Sequence, residues 1–97
     1  MARIVLVEDE VLLRQLFEQK LRLEGHEIAS AVNGKEGWEL IQETRPDLIL
    51  LDLLMPVMSG YDVLTALRAH PDPILQKTPC LVISNSGQIN DLNRAYD

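Results

Sequence analysis

Apolar residues in this chain follow two rhythms that take turns. Four short runs, RIVLV (3–7), EIASAV (27–32), DLILLD (47–52) and CLVIS (80–84), are aliphatic or β-branched and bounded by polar or turn residues. Between them the apolar positions recur at helical spacing. In 11–24 the stripe is Leu13, Leu16, Phe17 and Leu21, and Gly25 supplies a stop. In 35–44 the inner face is Trp38, Leu40 and Ile41. Asn33-Gly34 marks the turn and cap before that helix, and Arg45-Pro46 breaks it. In 61–70, after Ser59-Gly60, the stripe is Val63, Leu64 and Leu67. The stretch HPDPILQKTP, with its three prolines, reads as a loop. Asn85-Ser86-Gly87 reads as a turn, and 88–97 as the start of another helix. Strands alternating with helices predict right-handed βαβ units, hence an α/β fold with a doubly wound parallel sheet.

Residues 48–56 read LILLDLLMP, with an ionisable Asp52 inside an apolar run. A desolvated, unpaired carboxylate is unfavourable by several kcal/mol, so it must protonate, find donors or bind a cation. Open α/β sheets bind ligands outside the carboxyl ends of their strands. Glu8 and Asp9 follow the first run, Asp52 ends the third and Ser84 ends the fourth. Parallel strands put all four at one edge. Three converging carboxylates repel unless a cation sits among them. Hard oxygen ligands select Mg2+, Mn2+ or Ca2+, and a small, partly hydrated site suits Mg2+. An aspartate beside such an ion can act as a nucleophile towards phosphorus.

The bulk properties exclude several classes. With 97 residues there is one domain, 1–97, and 46% hydrophobic with 25% charged residues suffices for a packed core. A formal net charge of -6 offers no basic face for nucleic acid. The single cysteine, Cys80, sits in an apolar run, rules out an internal disulfide and fits a reducing compartment. No apolar run approaches the roughly 20 residues that span a bilayer, and MARIVLVEDE turns acidic too early for a signal peptide. The expectation is a cytoplasmic protein without membrane or nucleic-acid partners.

The ordered set of motifs resembles the receiver domain of two-component response regulators, the flavodoxin-like family that includes the chemotaxis response regulator. VEDE (7–10) resembles the family's acidic pair. Asp52 with Met55-Pro56 and Gly60 resembles its phosphoacceptor motif. Val-Ile-Ser84-Asn85 resembles the end of its fourth strand. The resemblance implies that Asp52 accepts a phosphoryl group from a histidine kinase, a phosphotransfer protein or a small phosphodonor. It implies Mg2+ held by Asp9 and Asp52 directly, by Glu8 through water and by the Leu54 carbonyl. Ser84 would turn toward the phosphoryl group, Asn85 would sit at the mouth of the site, and Pro56 and Gly60 would shape the loop. Catalysis beyond self-phosphorylation and dephosphorylation is not implied.

The family's fifth strand, with its leading Lys, and the fifth helix would fall beyond Asp97, and by chain order neither Lys20, Lys35 nor Lys77 takes that place. The expectation is therefore a C-terminally truncated receiver with four strands in order 2-1-3-4. An open edge on strand four then predicts a homodimer or larger oligomer through that edge. The alternative is a degenerate receiver acting as an oligomerising scaffold. An aspartate-based phosphohydrolase needs a second acid two residues after its nucleophile, where this chain has Leu54. Arg14 reads as a solvated charge, with a part in binding a kinase as the alternative; His26 and His70 read as surface residues, and Trp38 as a packing residue.

Overall fold

The computed structural model describes residues 1–55, 57–83 and 89–91, the last three by backbone pairing alone. The order of elements is β1 (Arg3–Val7), α1 (Val11–Leu23), β2 (Glu27–Ala31), α2 (Gly34–Thr44), β3 (Leu48–Asp52), α3 (Gly60–Arg68), α4 (Pro73–Gln76), β4 (Cys80–Ile83) and β5 (Ile89–Asp91). The sheet runs β2-β1-β3-β4-β5. Its first four strands are parallel, in the order expected from the sequence.

Alternation along each strand divides the core in two. Val5, Val7, Ile49, Leu51, Cys80 and Val82 face Ile41 of α2, Val63, Leu64 and Leu67 of α3, and Leu75 of α4. Ile4, Leu6, Leu50 and Ile83 face the other way, with Leu13, Phe17 and Leu21 of α1 packed nearby. Helices therefore lie on both faces, as a doubly wound sheet requires. The α1 contact is a single i, i+4 line through 13, 17 and 21. Leu16, expected in that stripe, falls on its flank and is exposed. Trp38 packs partly buried against the larger cluster, its ring edge-on to His70 at a centroid distance of 5.9 Å.

Local chemistry starts and stops the helices. Asn33 Oδ1 accepts the Glu36 N–H at 2.8 Å and caps α2. Ser59 and Asp62 form a reciprocal capping box at α3. Asp72 Oδ1 accepts the Ile74 N–H, and Pro73 occupies the first position of α4. The last pair makes a short helix inside the stretch read from sequence as loop. Arg45, before Pro46, ends α2 in the left-handed region at φ 49°, and its guanidinium pairs with Asp72.

Two expectations change at the β4 edge. Residues 89–91 are not the beginning of a helix. They pair antiparallel with β4, Ile89 opposite Ile83 and Asp91 opposite Leu81. The sheet thus has a fifth strand beside the four parallel ones, and the bare edge that motivated an oligomer carries a strand of the same chain. Unpaired strand groups at an apolar edge accept a nearby strand, and here residues 89–91 supply one. Among the described residues no helix is long and apolar enough to cross a membrane.

Leu67 is fully buried between α3 and the sheet, whereas Ile74 on α4 is exposed. Leu67→Ala is expected to lower unfolding free energy by roughly 2–5 kcal/mol. Ile74→Ala should change it by less than about 0.5 kcal/mol. Urea denaturation of the two variants checks the assigned core.

Candidate functional site

β1 and β3 are neighbours, with Val7 opposite Leu51. The residue after β1 therefore emerges beside the last residue of β3. Glu8, Asp9 and Asp52 each present a carboxylate oxygen there, and the three oxygens lie within 4.8 Å of one another. Glu8 is 2% and Asp52 3% exposed, while Asp9 is open to solvent. The sequence expectation that these acids converge at one strand edge is met.

Backbone bonds hold the cluster. The Glu8 N–H donates to the Ala31 carbonyl at 3.1 Å, which ties the chain leaving β1 to β2. Glu8 Oε2 accepts the Glu10 N–H at 3.2 Å, and Asp52 Oδ1 accepts the Leu54 N–H at 3.2 Å. Arg14 Nη1 donates to the Glu8 carbonyl at 3.0 Å. This side chain, read from sequence as a solvated charge, braces the acidic turn from the first turn of α1. Nothing in the local pattern distinguishes it from a surface arginine.

Gly60 begins α3 where there is no room for a side chain. A Cβ there would lie 2.3 Å from the Asp52 carbonyl oxygen and 2.7 Å from Leu53 Cα. The Gly60 N–H also donates to the Leu53 carbonyl at 3.0 Å. The close approach means that α3 starts directly against the backbone of the acidic residue. Leu54 lies on the same loop with its side chain exposed. Pro56, Ser84 and Asn85 lie outside the described residues. Ile83, the residue before Ser84, is paired with Asp52 across β3 and β4.

Burial is the main electrostatic influence. It pushes the Glu8 carboxyl up to about 8, helped by its side-chain bond to Asp52 and the Asp52 charge, while the Glu10 N–H opposes the shift. Burial raises Asp52 as well. The bonds from Glu8 and from the Leu54 N–H pull it back, and Asp9 adds to the rise. Without metal, burial and the neighbouring carboxylates thus favour a proton on the Glu8–Asp52 pair. A small divalent cation offsets the same repulsion. The donor set fits one, being all hard oxygen, compact and open to water at Asp9.

The family model of the response regulator receiver domain matches residues 4–97. The chain belongs to that family. The transcriptional regulatory protein PrrA of Mycobacterium tuberculosis is 39% identical over 89 residues, 92% of this chain and 36% of PrrA. The chemotaxis response regulator CheY4 of Vibrio cholerae superposes with a TM-score of 0.78 at 33% identity, over 84% of this chain and 67% of that one. The Mn2+-bound form of response regulator Rcp1 gives 0.78 at 30% identity, over 91% and 68%. The chain spans about a third of the length of the curated relatives it matches. As a class, receiver domains are phosphoacceptor signalling modules that interact with histidine kinases or phosphotransfer proteins.

The raised Glu8 carboxyl has a definite sign in stability. An unfolded chain releases this proton near its ordinary value of 4.5, the folded metal-free protein near 8. Folding therefore loses stability as pH rises through that window and levels off above it, and Asp52 acts in the same direction. Urea unfolding in chelator should show a lower midpoint at about pH 8 than at about pH 5, and Glu8→Gln should flatten the difference. Added Mg2+ should restore the midpoint at the higher pH.

A second expectation concerns Val57, which holds φ 73° although it is β-branched. Val57→Gly removes that strain and should stabilise the fold by about 1 kcal/mol, read as a higher thermal midpoint.

Proposed function

We propose that this chain is a phosphoacceptor of two-component signalling, with Asp52 as the residue that carries the phosphoryl group. The observation that carries the reading is the buried Asp52 at the end of β3, with Glu8 and Asp9 against it. Membership of the receiver family supports it. So does the likeness to Rcp1, a response regulator solved with Mn2+ bound.

In this reading one Asp52 carboxylate oxygen attacks phosphorus. The new O–P bond forms as the bond from phosphorus to the donor breaks. The leaving electron pair returns to the imidazole nitrogen of a kinase or phosphotransfer histidine, or to the acetate oxygen of acetyl phosphate. The Leu54 N–H holds Oδ1 and so restricts the orientation of the carboxylate. Glu8, Asp9, Asp52 and the Leu54 carbonyl would hold Mg2+, which supplies neutralisation of the charge on the transferring group. Ser84 is assigned the hydrogen bond to the phosphoryl group that reports its arrival, Asn85 a place at the mouth, and Pro56 with Gly60 the shape of the loop. These four assignments rest on the family resemblance, joined for Gly60 by its steric fit.

Intact mass after incubation with acetyl phosphate and Mg2+ tests the reading. One added phosphoryl group is expected, absent in Asp52→Asn and strongly reduced in Asp9→Asn. A folded, Mg2+-binding protein that gains no mass, or gains it equally in Asp52→Asn, contradicts the assignment.

A further inference from the structure

The loop between β3 and α3 carries Leu54 and joins Asp52 to the first turn of α3. Gly60 closes one end of it, as described. The other restraint comes from a different element. Gly34, the first residue of α2, is buried against Met58. A Cβ built on Gly34 would lie 1.7 Å from the Met58 carbonyl oxygen, 2.5 Å from its carbonyl carbon and 2.9 Å from its Cβ. Two of these three are backbone atoms, so no rotamer change relieves the overlap.

Nor is α2 free to retreat toward the sheet. One turn on, a Cβ at Gly37 would lie 2.7 Å from both Val7 methyl carbons, so the helix already rests at close approach to β1. A side chain at 34 must therefore displace the loop. Val57, beside Met58, holds its left-handed backbone against its own preference, a sign that the surroundings impose the loop's shape. At the other end of the loop, the Gly60 N–H bonds Leu53 and the Leu54 N–H bonds Asp52 Oδ1.

We propose that Gly34 is a positioning residue of the acid site: having no side chain, it lets the Met58 carbonyl close against α2 and so sets the loop that orients Leu54 toward Asp52. Its consequence for metal binding rests on the phosphoacceptor reading; its consequence for the loop does not.

The test compares Gly34→Ala with Gly25→Ala. Gly25 has φ 89° with open space around it, at the opposite edge of the sheet, so alanine there strains the backbone without touching the loop. Two readouts are taken, amide exchange at Leu54 and Gly60 in metal-free protein and calorimetric Mg2+ affinity. In Gly34→Ala both amides should exchange faster than in Gly25→Ala compared at equal global stability. Mg2+ should bind about tenfold or more weakly, as for residues that orient a ligand from behind. Exchange no faster than in Gly25→Ala, or faster exchange with wild-type Mg2+ affinity, overturns the proposal. Should Gly34→Ala not fold, Gly34→Ala/Met58→Gly carries the test, because glycine at 58 lets the carbonyl swing off the methyl group. Its affinity and protection should both fall below those of Met58→Gly alone, and equality overturns the proposal. A wild-type chain that binds no Mg2+ removes the phosphoacceptor reading, and the exchange data then decide the loop's restraint by themselves.

Discussion

The structure depends on two parallel strands that end level with each other. Val7 of β1 stands opposite Leu51 of β3, so Glu8 and Asp52 leave the sheet side by side. Behind them Val5, Val7, Ile49 and Leu51 are fully buried, which keeps water from the inner side of the carboxylates. A register slip of one residue would turn the apolar faces of β1 over and carry Glu8 away from Asp52. The core and the site therefore rest on one set of ladder bonds. Packing that fixes the register also buries the Glu8 carboxyl beside Asp52, and burial first, then that neighbour, raises its pKa.

Around this edge the backbone is brought closer than side chains allow. Gly60 places α3 against the Asp52 carbonyl, and Gly34 places α2 against the Met58 carbonyl. The β3–α3 loop is thereby gripped from two helices, and Arg14 braces the acidic turn from a third. Apolar burial alone would hold such loops loosely. Close contact between backbones limits them to one arrangement, which a site built on charge geometry needs.

Much of this was legible in the chain. The alternation of strand and helix rhythms placed β1 to β4, and their parallel order followed from the connections. Glu8, Asp9 and Asp52 were placed together by the strand-end rule before any geometry was known. The misses have separate causes. β5 is three residues long, and its pairing is decided by the free edge of β4 rather than by its own composition. α4 carried a usable signal in Asp72-Pro73, a cap followed by a first-turn proline, which the neighbouring prolines masked. Leu16 belonged to the helical stripe by spacing, yet the line of contact under α1 is narrower than the stripe.

By itself the sequence determined the residue chemistry and the periodicities: which segments alternate, which strand tips carry acids, and that three hard carboxylates end up at one sheet edge. Those are local properties, written in side-chain type and spacing over a few residues. Only the tertiary structure decided that Glu8 and Asp52 are buried while Asp9 is not, that Arg14 turns back to the Glu8 carbonyl, and that Gly34 meets Met58. Each of these depends on how closely separate elements approach. That distance is set by the packing of the whole core, so no window along the chain contains it.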